Sequence, residues 1–278
     1  MSNYPYNILS DMEKNAEAEL TPRLHPLLDI SKDLINFLPT ITSVTKRKSI
    51  DDTSGFFTAL LQHIFLRQAL TCLRSITILL VRGYTVQAAT LASSIFEIYL
   101  YSSYIGNDPE KAEKFRSHSN SQEFVWSPKS MIRYLAENSL KAKKQSYTKD
   151  ELEQETQTID GPYIYFCSLK HNNPIPLWHN MSAKMDEERL QAGAPKFMVI
   201  PDQRSEDDKP KIIILAESNQ KTIEIAQNTL HLAETKGSTL ASWEKTLQKI
   251  NQRNLLAYQE MCCHSGPMPY PTVRKQKP

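Results

Sequence analysis

The strongest constraint on the fold lies between Gly55 and Gly106. Two long apolar stretches, 56–82 and 85–105, meet there at a single Gly83-Tyr84 break. Glycine inside a helix costs ~1 kcal/mol relative to alanine. The seven glycines of this 278-residue chain all fall where the hydrophobic pattern also breaks, which predicts long, uninterrupted helices. In the first arm Phe57, Leu61, Ile64, Cys72, Ile76 and Leu79 follow the helical repeat, while a second stripe carries Arg67, Thr71, Arg74, Ile78 and Arg82. The second arm has a small face of Ala88, Ala89, Ala92 and Ser93, and a further stripe of Thr90, Ser94, Glu97 and Tyr101. Folding the arms together about Gly83 puts Glu97 near the level of Leu70, with Arg67 and Arg74 about one turn away. Two readings stay open: an ion pair that fixes the register of the hairpin, or a polar floor beneath a pocket. A buried charge costs several kcal/mol unless it is paired, so both readings require partners.

Around this hairpin the pattern predicts more helix. Residues 11–38 read as two helical pieces separated at Thr21-Pro22, the second ended by Pro39. Asp108-Pro109 and Ser127-Pro128 are cap-then-proline signals that open two further helices. Residues 149–158 are charged and helix-prone, Gly161-Pro162 is a break, and 163–171 reads as a short helix ended at Asn173-Pro174. Phe197 to Ile200 and Lys211 to Leu215 read as the strands of a β-hairpin over 196–216. Residues 222–236 and the stripe Leu240, Trp243, Leu247, Ile250, Tyr258 and Met261 are helical. The expected architecture is a mostly α single domain over 1–264, a helical bundle around the 55–106 hairpin, followed by a disordered basic, proline-rich tail at 265–278.

Charge and cysteine content narrow the function classes. A formal net charge of +2 does not argue for nucleic acid unless a basic surface is local. The triplet Lys46-Arg47-Lys48 reads as a solvated loop before it reads as a phosphate contact. The four cysteines have neither CxxC spacing nor a framework pattern, which favours a reducing compartment. The amino terminus lacks a basic flank with an apolar core, and no apolar run is read as approaching the ~20 residues of a bilayer crossing. A cytoplasmic protein with no membrane partner is expected. There is no GxGxxG, P-loop or GxSxG motif. Cys262-Cys263-His264 is too compact for one tetrahedral zinc site, so no metal and no cofactor are expected.

His171 leads the candidates for chemistry. Tyr163, Ser168, Lys170 and Asn172 are close to it in sequence, an assembly able to handle a proton or contact a phosphate. A histidine beside a turn also has a purely structural reading. Together with the hairpin charges, the candidate catalytic set is Arg74, Glu97 and His171, and the candidate ligand-binding set is Arg67, Tyr163, Lys170 and Asn172.

The runs Leu79-Leu80-Val81-Arg82-Gly83-Tyr84, Ala88-Ala89 and Ser94-Ile95-Phe96-Glu97 resemble a bacterial family, as do Asp108-Pro109-Glu110, Trp126-Ser127-Pro128-Lys129-Ser130 and 163–171. It is the domain-of-unknown-function family numbered five-six-seven-seven, and the resemblance covers 56–171. That family looks like a distant relative of the HEPN helical superfamily, which includes RNA-cleaving toxins and phage-defence effectors. The resemblance implies a helical, homo-oligomeric protein with an RNA or protein partner. Catalytic HEPN domains place a histidine four to six residues after an arginine, and no Arg–His pair here has that spacing. Many relatives also carry arginine four residues before the helix glutamate, where this chain has Ser93. The expected function is therefore a helical binding or interaction protein, a sensor or partner subunit in phage defence or a toxin–antitoxin-like system. The alternative is a metal-independent RNA endonuclease with a non-standard site.

Overall fold

The computed structural model describes residues 6–44, 53–119, 123–144, 146–170, 208–232 and 238–263. Among these the regular structure is eight helices and no strand. They are α1 (Tyr6–Val44), α2 (Thr53–Val81), α3 (Thr85–Ile105), α4 (Pro109–Ser117), α5 (Pro128–Lys143), α6 (Lys149–Lys170), α7 (Asp208–His231) and α8 (Ser238–Cys263). The central helix is α3, packed on by α2, α4, α5, α6 and α7. On one side α1, α2, α7 and α8 form a bundle, and on another α5 and α6 pack together against α3.

The turn between α2 and α3 shows why the glycine sits where it does. Gly83 has φ 82°, a left-handed conformation that a side chain disfavours. Its N–H donates to the Leu80 carbonyl (3.0 Å) and the Tyr84 N–H to that of Leu79 (2.8 Å), the two bonds of a Schellman stop. The Tyr84 hydroxyl then donates to Glu13 on α1 (2.6 Å), with Arg82 3.7 Å from the same carboxylate. Both cap-then-proline signals hold. Asp108 accepts from the N–H groups of Glu110 and Lys111, and Ser127 accepts from that of Ser130.

Three expectations need correction. First, α1 is one helix running through Pro22, Pro26 and Pro39. All three prolines are exposed, opposite the buried stripe Leu20, Leu24, Leu27, Ser31, Leu34, Leu38 and Ile41. On the exposed side of a helix, water can meet a carbonyl that has lost its N–H partner, which lowers the cost of continuing. Second, α6 runs through Gly161-Pro162, because Tyr165, Phe166 and Leu169 anchor its later turns in the core. Third, Lys211 to Leu215 is helical, the early turns of α7; the other expected strand, Phe197 to Ile200, lies outside the described residues. Residues 211–216 are buried all round, since α7 packs on α1, α2, α3 and α8. A helix buried on every side shows no 3.6-residue stripe, and its run of isoleucines imitates a strand. The expected disordered tail also lies outside the described residues.

Two buried polar networks hold α7 in place. Asn219 accepts from the Ser31 hydroxyl (2.7 Å) and donates to the Leu27 carbonyl (3.2 Å) and to Asn254 (3.3 Å), which itself donates to the Ala216 carbonyl. Further along, Gln62 donates to the Ser102 and Gly106 carbonyls and accepts from the Ser102 hydroxyl (2.6 Å). Asn228 donates to the hydroxyls of Ser102 and Ser103, and Thr229 to the Gln62 carbonyl. At the amino end, Asp208 takes a two-pronged ion pair from Arg23.

Asn219→Ala removes three buried bonds: the Asn254 side-chain oxygen loses its partner, while Ser31 keeps its own bond to the Leu27 carbonyl (3.0 Å). The substitution is expected to cost about 2–4 kcal/mol in urea unfolding, given ~1–3 kcal/mol per orphaned buried group. Burial, then the bond and charge of Glu13, push the Tyr84 hydroxyl up to about 12. In the unfolded chain a tyrosine titrates near ~10. Tyr84 therefore contributes stability that is fully present below pH ~10 and is lost as pH rises towards 12. Between those limits, Tyr84→Phe should lose stability less steeply with pH than the wild type in urea melts; equal slopes would refute the assignment.

Candidate functional site

Three of the seven candidate residues meet in the groove between α3 and α6. The Tyr163 hydroxyl donates to Glu97 Oε1 (3.3 Å), and Lys170 Nζ lies 3.7 Å from the same oxygen. On α6, Tyr163 and Lys170 are seven residues apart, two turns along one helix face. The Tyr163 ring stacks on Phe96, a fully buried neighbour of Glu97, with centroids 5.2 Å apart. The ion pair is about one third exposed on both sides (34% and 30%), so solvent screens it.

The Glu97 carboxylate acts on several groups around it. Tyr163 is shifted well above the usual tyrosine range, first by burial, then by Cys167 and Glu97. The Cys167 thiol is raised, chiefly by burial. Tyr101, one turn beyond Glu97 on α3, is raised by burial and then by Glu97. Asp160 is raised by burial, against the pull of Lys129. At its centre the groove thus pairs the Glu97 carboxylate with the Lys170 ammonium, among phenols and a thiol whose ionisation burial disfavours. A protonated thiol is a poor nucleophile, and a phosphate here would meet an acid as well as a single cation.

Arg67 and Arg74 are elsewhere. Both are exposed on the outer face of α2, and among the described residues neither side chain has an ion pair or hydrogen-bond partner. The expected pairing of Glu97 with Arg74 is replaced by Glu97 with Lys170 and Tyr163. Level along a hairpin is set by residue count, but which way each side chain points is set by rotation about the helix axis. Here Glu97 is turned to α6. His171 and Asn172 lie outside the described residues.

The Arg67–Arg74 face has its own character. By length and composition α2 is apolar enough to cross a membrane over Gly55–Val81, at mean hydropathy 1.6, contrary to the expectation of no such run. Here it packs on α1, α3, α4 and α7, yet only 33% of that apolar window is buried. Leu60, Ile64 and Ile78 are 40%, 48% and 44% exposed, and α2 contains no acidic residue. A groove between α1 and α8, lined by Pro26, Ile30, Arg253 and Leu256, encloses ≈ 200 Å³, less than the several hundred Å³ typical of small-molecule pockets. No group of histidine, cysteine or acidic side chains among the described residues is placed to hold a metal ion.

Glu97→Gln keeps an acceptor for Tyr163 and removes the attraction for Lys170. It is expected to cost less than about 1 kcal/mol, and to bring the Tyr163 ionisation down while leaving it above the ordinary value, because burial is the larger cause. Titration of labelled tyrosine ring carbons by NMR reads this directly. A return to the ordinary value would show that the carboxylate, not burial, controls the phenol.

No curated protein and no solved structure matches the chain. Residues 59–173 match the model of a family of unknown function (DUF5677). The match takes in α2 to α6, with the α3–α6 groove and most of the exposed face of α2, and leaves α1, α7 and α8 outside it. The part of the chain that carries both candidate surfaces is thus similar to this family of unknown function.

Proposed function

We propose that the protein is a helical interaction module whose docking surface is the outer face of α2. The observation that carries this reading is the open apolar stripe of Leu60, Ile64 and Ile78, interleaved with Arg67 and Arg74 on a helix that otherwise belongs to the core. Isolated exposed leucines need no explanation. Three apolar side chains aligned along one helix face with two arginines, unpaired among the described residues, are a surface that gains by being covered.

The ribonuclease alternative draws less support. It calls for a cation beside the base, to neutralise phosphate as the 2′-hydroxyl is activated. Arg67 and Arg74 extend from the outer face of α2, while Glu97 is engaged with α6. A binding role needs no such convergence.

A benzophenone side chain in place of Ile64 tests this in the host cell. It should yield a discrete crosslinked species that is absent when the same group replaces the exposed Lys141. Absence of any adduct from position 64, together with a monomer in sedimentation velocity, would reject the interaction reading.

A further inference from the structure

Six of the seven exposed positions described on α2 are spaced as a coiled-coil seam, with Gln68 beside it. Leu60, Ile64, Arg67, Thr71, Arg74 and Ile78 follow one another at intervals of 4, 3, 4, 3 and 4 residues. This is the alternation by which one helix keeps a seam facing another. All six are exposed. The outer positions are apolar, and the centre holds two arginines one heptad apart, flanking Thr71, whose hydroxyl is turned back to the Arg67 carbonyl (3.0 Å).

The order of residues along the seam bears on what can cover it. Read in either direction it runs from apolar through Arg, Thr and Arg to apolar. In an antiparallel pair of two such helices centred near Thr71, Arg67 would face the second copy's Arg74. In a parallel pair each arginine would face its own equivalent. Both arrangements set like charges across a seam, which costs affinity. With no acidic residue on α2 and no partner for either arginine among the described residues, nothing on the helix offsets that repulsion.

We infer that the outer face of α2 takes an acidic amphipathic helix from a different protein, one that carries two carboxylates a heptad apart between apolar seam residues. This rests on the reading of α2 as a docking surface and adds the chemistry of its partner. The carboxylates would meet Arg67 and Arg74 as charge-assisted pairs, and the apolar residues would cover Leu60, Ile64 and Ile78. Heptad spacing favours a helix over a flat lipid surface or an RNA strand, neither of which requires alternation of 3 and 4.

The test uses the full chain and a stapled, fluorescent helical peptide whose seam has glutamates at the two central charged levels and leucine or isoleucine outside them. Fluorescence anisotropy should show saturable binding. Arg67→Glu with Arg74→Glu should weaken it roughly tenfold or more, with the fold checked by circular dichroism. A peptide with lysines in place of the glutamates should restore binding to that variant. Failure of the glutamate peptide to bind would overturn the inference, as would binding indifferent to the charge reversal. So would arginine-dependent binding only to phosphatidylserine vesicles or to a single-stranded RNA, or a wild-type dimer that falls apart on Ile64→Glu. If the benzophenone at position 64 finds a partner while peptide binding ignores charge, the docking surface stands and the acidic partner does not.

Discussion

The arrangement of the bundle depends on a few polar side chains buried along α7. A helix packed against four others leaves little wet surface on which to place its amides and hydroxyls. Each must find a partner on a neighbouring helix or remain unsatisfied in the core. Asn219 reaches α1 and α8, while Asn228 and Thr229 reach the Gln62–Ser102 pair on α2 and α3. Each bond contributes little net stability, because water competes for the same groups in the unfolded chain. An orphaned group costs more than a made bond returns. Rotating α7 by one residue turns both sets away from their partners together. The apolar contacts around Ile213 and Ile214 would tolerate many rotations; these two networks select one.

That division explains which features could be read from the sequence. Helix ends were legible because their causes are local: the Gly83 stop, the Asp108 and Ser127 caps, and the one-sided stripe of α8 with Leu247 and Ile250 inward. Features set by neighbours were not. Burial on every side erased the helical period of residues 211–216, and the prolines of α1 pass as breaks until their side of the helix is known to face water. The tie of Glu97 to Tyr163 and Lys170 falls between these cases. The seven-residue spacing of Tyr163 and Lys170 puts those two on one face of a segment that reads as helix from sequence, so that signal is available; that the face packs on α3 is not a local property. The Glu97 level in the hairpin was computable, and its rotation towards α6 was not, because that rotation is fixed by the packing of Ile95, Phe96 and Ile98 in the core.

The hairpin separates its charges. Its one carboxylate within the helices, Glu97, is turned inward to α6, where a lysine and a phenol answer it. Its two mid-helix arginines are turned outward. These two sides have different consequences for folding. The inward charge sits among groups whose ionisation burial already disfavours, so its partners matter to the fold. The outward arginines lie seven residues apart, about 10 Å along the axis at the helical rise, close to one Debye length in physiological salt. Their mutual repulsion is therefore weak and their hydration intact, so the isolated fold bears them at almost no cost and does not need them paired. A positive potential left uncompensated over an apolar stripe costs little in the free protein and becomes a determinant of affinity only when water is excluded from it. For that reason the arginine pair on α2, more than the partly screened Glu97–Lys170 pair, is where this fold retains unspent capacity for recognition.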